Sequence, residues 1–232
     1  MGAPIEPSPK RVRPLASKDG WAITSSFSVP LLQPEETPTL FDTLVHRRTR
    51  RECEPLALND VLSLLQFAMQ TREFGEGDNA GRLRKVSVSA GALHPIEVLV
   101  VSGPEVSEPI IYSDDYDTFG TVQFSSPDCA IDQIDQLMAI APQAKGHLML
   151  LVANLRHVSQ AYSQPSSLLW RDGGAVLQTF SLLSAALGYA FVPLGPTGSS
   201  LLETLVKPHD DYVAVGTGII GKAPIRADDA SV

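Results

Sequence analysis

The sequence predicts a mixed α and β fold (α+β) built around a buried sheet. Two strongly apolar runs, Ile96–Val101 and His147–Asn154, place aliphatic and β-branched residues on nearly every position, as strands covered on both faces do. A stretch over 172–189 carries apolar residues at helical spacing and no charge after its first residue. With 44% hydrophobic residues in 232 and a mean hydropathy of +0.05, the chain can bury one sizeable core.

The first 38 residues hold Pro4, Pro7, Pro9, Pro14, Pro30, Pro34 and Pro38 and no continuous apolar run, so 1–38 is read as an irregular arm and 39–232 as the folded domain. Leu40, Leu44 and Val45 predict a short helix ending in a run of basic residues. An Asn59 cap followed by Val61, Leu62, Leu65 and Met69 predicts a second helix. The polar, glycine-bearing stretch 71–85 reads as a loop, 109–112 as a strand and 131–140 as a helix. The long helix over 172–189 closes near Gly188, a strand follows over 191–194, and Gly195-Pro196-Thr197-Gly198 reads as a tight turn. The last strand is expected over 212–216.

Composition excludes several classes of function. A net charge of −8 and a pI near 5.1 repel nucleic acid and anionic lipid at long range, so any bound phosphate needs a local basic pocket. The uncharged stretch 173–202 is long enough to span a bilayer, but Gln178, Ser181, Ser184, Gly188 and Pro193 interrupt it and favour a buried core helix. Cys53 and Cys129 suit free thiols in a reducing compartment, the cytoplasm. His46, His147, His157 and His209 lack metal-ligand spacing, Asp114-Asp115 and Asp210-Asp211 read as solvated turns, and Ser199-Ser200 lacks the hydrolase elbow.

Two patterns remain. Gly216-Thr217-Gly218-Ile219-Ile220-Gly221 has dinucleotide-binding spacing, but the chain ends too soon after it for the helix and acidic residue that motif requires, so the glycines are read as allowing close backbone packing. Arg47, Arg48, Arg50 and Arg51, with Thr49 between them, form planar permanent cations at a helix end and suit either a phosphate or a solvated terminus. Lys222 and Arg226, near the other end, could complete a phosphate site.

Taken in order, several segments resemble the nitroreductase superfamily. His46-Arg47-Arg48-Thr49-Arg50-Arg51 is similar to that family's opening. Ser89-Ala90-Gly91-Ala92-Leu93-His94-Pro95 resembles the flavin-lining segment of its SagB-type azoline dehydrogenase branch. Trp170-Arg171 with Gly174 and Gln178 resembles that branch's long helix. The resemblance covers islands from about 40 to 226 and implies a mixed central sheet flanked by helices, FMN as cofactor, NAD(P)H as a candidate electron donor, and a homodimer. It places Arg47, Thr49 and Arg51, with Arg48 assisting, on the phosphate and ribityl chain; Ser89, Ala90 and Gly91 on the ring; Gly195 with Leu194 at flavin N5; and Lys222 or Arg226 closing the phosphate site. Gln178 lies in the same flavin-binding set, and His94 and Arg171 are the candidate substrate contacts.

Three positions depart from that pattern. Val88 replaces a proline, Thr49 a serine, and Gln164-Pro165 the Lys-Tyr pair of azoline dehydrogenases, with Tyr162 nearby. Three functions therefore stand: a dehydrogenase or oxidase of a peptide-derived heterocycle or natural-product intermediate, an NAD(P)H-dependent nitro or quinone reductase, and a non-catalytic subunit of a biosynthetic complex.

Overall fold

A computed structural model describes residues 5–10, 20–34, 36–77, 82–101 and 108–224. In chain order they form β1 (Ser8–Pro9), β2 (Ile23–Phe27), α1 (Leu40–His46), α2 (Leu58–Met69), β3 (Glu73–Phe74), β4 (Leu83–Arg84), β5 (Ile96–Val101), β6 (Ile110–Ser113), β7 (Thr118–Val122) and α3 (Pro127–Met138). There follow β8 (His147–Asn154), α4 (Leu155–Ala161), β9 (Tyr162–Ser163), α5 (Ser166–Ala186), β10 (Tyr189–Leu194), α6 (Ser199–Leu202) and β11 (Tyr212–Lys222).

Seven strands make the central sheet in the order β10-β11-β8-β5-β6-β7-β2. Alternation along each strand explains how it is covered. On β8, Met149, Leu151 and Ala153 point into one core with Val61, Leu65 and Phe180, while Leu148, Leu150 and Val152 point into another with Ala130, Ile134 and Leu201. The sheet is therefore a middle layer between α2 and α5 on one face and α3 and α6 on the other. All the pairings between its named strands are antiparallel, and the mixed character expected of the sheet is confined to an isolated parallel bridge, Cys53 to Ala144.

Several expectations are corrected. The stretch expected to be an irregular arm supplies β1, which pairs with β9, and β2, the outer strand beside β7. The loop expected over 71–85 contains the β3–β4 ribbon. Asn59 lies inside α2, whose cap is Ala57 with no side-chain bond. The long helix begins at Ser166 and stops at Ala186, and no helix among the described residues is long and apolar enough to cross a membrane. β11 runs to Lys222 rather than stopping at Gly216, so all three glycines of the apparent nucleotide motif lie within a strand. A Cβ on Gly218 would stand 2.6 Å from the Phe191 ring, and one on Gly221 would stand 2.6 Å from both Cys53 Sγ and the Glu54 carbonyl.

Asp114 is anchored rather than solvated. Its carboxylate pairs with Lys85 Nζ at 2.7 Å and accepts the Thr71 N–H at 2.7 Å. Burial pushes this carboxyl up, but Lys85 and the Thr71 donors outweigh burial and hold it below the usual aspartate range. With a depressed folded-state value, the stabilisation is full above the ordinary aspartate value of about 4 and disappears as pH falls through the lowered one. Thermal unfolding between neutral and acid pH should show a steeper acid decline in the wild type than in Asp114→Asn.

Candidate active site

Helix α1 ends where the basic run begins. Thr39 caps its first turn, and Arg47 leaves the helix with an extended backbone (φ −55°, ψ 122°). Past the run, the chain joins the far end of β11: the Glu54 N–H donates to the Lys222 carbonyl at 3.0 Å and the Lys222 N–H to the Glu54 carbonyl at 2.8 Å. Segments 168 positions apart in sequence thus lie side by side. A cavity of about 370 Å³ opens at this seam, lined by His46, Arg47, Arg48 and Arg50 from the run, Tyr189 from β10, and Pro224 beyond β11. Asp42 also reaches it and is occupied by the Thr39 hydroxyl. Three arginines in one concavity concentrate positive charge locally in an otherwise acidic protein.

Thr49 and Arg51 do not line that cavity, whereas Arg50 does. Lys222 is exposed at the same seam, and Arg226 lies outside the described residues.

The second group of candidates forms a tight loop at the other end of α5. Ser89 Oγ donates to Asp172 Oδ2 at 2.5 Å, and the Ala90 N–H points at the same carboxylate at 3.2 Å. Ser89 Oγ in turn accepts the His94 N–H at 2.9 Å. Gly91, Ala92 and His94 have positive φ values of 62°, 55° and 47°. For the two residues other than glycine this conformation costs on the order of 1–3 kcal/mol each, a cost typical of sites that hold a special shape. Gly91 is also required by its neighbour, because a Cβ there would stand 2.7 Å from the Tyr162 hydroxyl. His94 is buried, and its Nε2 donates to the Leu83 carbonyl at 2.8 Å, so its ring ties the loop to β4. Arg171 is exposed, with Nε 3.4 Å from the Ser167 carbonyl.

Gly195 follows β10 in a turn clipped to β11 by the Thr217 hydroxyl, which donates to the Pro196 carbonyl at 2.6 Å. Gly195 has open space where a side chain would stand, while Leu194 beside it is buried and Gln178 is exposed on α5. A second cavity, of about 430 Å³, lies behind this turn against Gln133 and Gln136 of α3.

The structure thus brings the arginine run together with the end of β11, and Ser89 and Ala90 together with α5. It does not join the two groups. Asp172 and Ala185, which mark the loop and the cavity, are thirteen residues apart on α5, about 20 Å along the helix. Sequence reasoning gave Asp172 no role, noted Tyr162 only as a neighbour of Gln164-Pro165, and counted Arg50 in the basic cluster without placing it among the cofactor contacts. For Asp172 a signal existed: it is the last charge before the long uncharged stretch, and a charge in the first turns of a core helix calls for a partner. Burial raises its carboxyl above the usual range, opposed by the bonds from Ser89 and Ala90 and by the field of Arg171.

The sequence matches no protein-family model and no curated protein. Solved structures show the fold. The chain is similar to a protein from Ralstonia eutropha JMP134 named as a nitroreductase (TM-score 0.62, 16% identity, 96% of this chain and 100% of that one). It is similar to another so named from Anabaena variabilis ATCC 29413 (0.60, 17%, 90% of this chain), of which it spans 45%. A chain of the E. coli microcin synthetase McbBCD complex, solved with truncated pro-MccB17 bound, also aligns (0.55, 14%, 84% of this chain and 78% of that one). The architecture is the nitroreductase fold.

Proposed function

We propose that this chain is an FMN-dependent oxidoreductase that works as a homodimer on a small-molecule or modified-peptide substrate. The observation that carries this reading is the meeting of Arg47, Arg48 and Arg50 with the end of β11 around one cavity. A mononucleotide phosphate requires clustered fixed cations, and this acidic chain gathers them there. The shaped Ser89–Gly91 loop offers a fixed edge for a flat ring to meet, and the open space where a Gly195 side chain would stand leaves room for a ring to approach that turn. The residues present therefore fit the cofactor. Resemblance adds Thr49, Arg51, Gln178, Lys222 and Arg226 to the set. Bound FMN would supply hydride acceptance and donation at N5.

The separation of about 20 Å between cavity and loop within one subunit supports a dimer, in which the cavity of one copy faces the loop of the other. Helix α1 supplies apolar area to bury. Leu40, Phe41, Leu44 and Val45 are all half or more exposed, Phe41 at 78%. The dehydrogenase or oxidase direction draws support from likeness to a chain of a microcin synthetase complex that holds truncated pro-MccB17. The reductase reading, with NAD(P)H as donor, is favoured by Gln164-Pro165, which puts no lysine beside Tyr162. Free cysteines suit the cytoplasm.

Purified protein should be yellow, absorbing at about 450 nm as bound flavin does, and dimeric by light scattering. A colourless monomer that ignores added FMN would overturn the reading in favour of a non-catalytic subunit. Turnover with NADH, NADPH or heterocyclic peptides then separates the two directions.

A further inference from the structure

We propose that Asp172 is a positioning residue that holds the Ser89–His94 loop in the shape that meets a flavin ring, an inference that rests on the flavin reading for its purpose but not for its geometry. Asp172 is 6% exposed and belongs to α5, whose buried face, with Leu169, Val176 and Phe180, packs into the core. It closes the loop in two steps. First it accepts the Ser89 hydroxyl at 2.5 Å and the Ala90 N–H at 3.2 Å, which fixes where the loop starts. The Ser89 oxygen, its hydrogen committed to Asp172, then accepts the His94 N–H at 2.9 Å, which fixes where the loop ends.

Everything between those anchors is left-handed or turning. Gly91, Ala92 and His94 have positive φ, and two of these carry side chains that resist it. Such a shape persists only where the surroundings over-determine it. Asp172 provides that constraint from α5, the His94 ring provides it from Leu83, and Tyr162 caps Gly91 from above. A carboxylate is suited to the role because both of its oxygens accept and its charge strengthens both bonds, whereas an asparagine keeps one acceptor, meets the Ser89 hydroxyl with its N–H₂ and offers neutral bonds only. Arg171 next to it is exposed and acts on it through its field.

The test uses the full chain and two readouts. By hydrogen exchange of the flavin-free protein, Asp172→Asn should speed exchange at Ala90 and His94 about tenfold, the loss of a charged hydrogen bond, and leave β5 and β8 unchanged. Ser89→Ala, which keeps the carboxylate, should speed His94 while Ala90 stays protected, and serves if Asp172→Asn does not fold. By titration, Asp172→Asn should weaken riboflavin and FMN by the same factor, about tenfold, and shift the midpoint potential of the bound flavin. Arg47→Ala should weaken FMN and leave riboflavin unchanged. Unchanged exchange at Ala90 and His94 in Asp172→Asn, or faster exchange at Ala90 together with His94 in Ser89→Ala, overturns the role of Asp172. A wild-type protein that binds neither riboflavin nor FMN overturns the flavin reading instead, and the exchange result still decides Asp172.

Discussion

Replacing Arg47 and Arg48 together with alanine is expected to weaken FMN binding by about 3 kcal/mol, roughly two orders of magnitude in Kd, with little change in thermal stability. The reason is geometric and electrostatic. Both side chains line the seam cavity, Arg47 half-buried and Arg48 exposed, so the pair contributes charge to a ligand more than packing to the fold. Arg156→Ala, an exposed change on α4, should have no effect on affinity. Arg50→Ala should cost more than Arg51→Ala, because Arg50 lines the cavity and Arg51 does not. Quenching of flavin fluorescence measures all of these, and equal affinity in Arg47→Ala/Arg48→Ala and Arg156→Ala would sink the phosphate assignment.

The second large effect is expected at Gly221. A valine there drives its Cβ to within 2.6 Å of the Glu54 carbonyl oxygen and of Cys53 Sγ, and the carbonyl is backbone already committed to the Lys222 N–H. Relief requires the segment carrying Cys53 and Glu54 to move off β11. Overpacking and the loss of the two Glu54–Lys222 bonds together should cost about 3 kcal/mol of stability, about 10 °C in Tm at this chain length. Unlike the arginine changes, Gly221→Val should lower stability and FMN affinity together, since the same seam shapes the cavity. Differential scanning calorimetry with and without FMN separates the two effects, and a wild-type Tm would contradict the tight packing on which the seam depends.

Much of the sheet was legible because burial writes a plain signature. β5 and β8 carry apolar residues toward both cores, and their expected bounds match the observed ones. α1 was legible from Leu40, Leu44 and Val45, although the spacing that revealed it describes an exposed face rather than a buried one. β2 was hidden because Ile23-Thr24-Ser25-Ser26-Phe27 is an exposed outer strand that needs few apolar residues. β11 was expected to stop at Gly216 and runs on to Lys222, while the reading of its glycines as sites of close packing holds, with Phe191 against Gly218 and Cys53 against Gly221. The candidate site divides in the same way. The arginines announced themselves by density, whereas Asp172 signalled locally only that it needs a partner, and that partner, Ser89, stands 83 residues earlier.

The close approach of Cys53 to Gly221 also gives the molecule an internal reporter. Burial, with the nearby Glu54 carboxylate, pushes the Cys53 thiol up to about 11, so at neutral pH it stays protonated and sealed, while Cys129 stands in solvent. An alkylating reagent should therefore tag Cys129 at once and reach Cys53 only when the arginine segment peels away from the strand beneath it. The labelling rate of that one sulfur becomes a clock for how often the seam opens, and a ligand seated in the cavity should slow it.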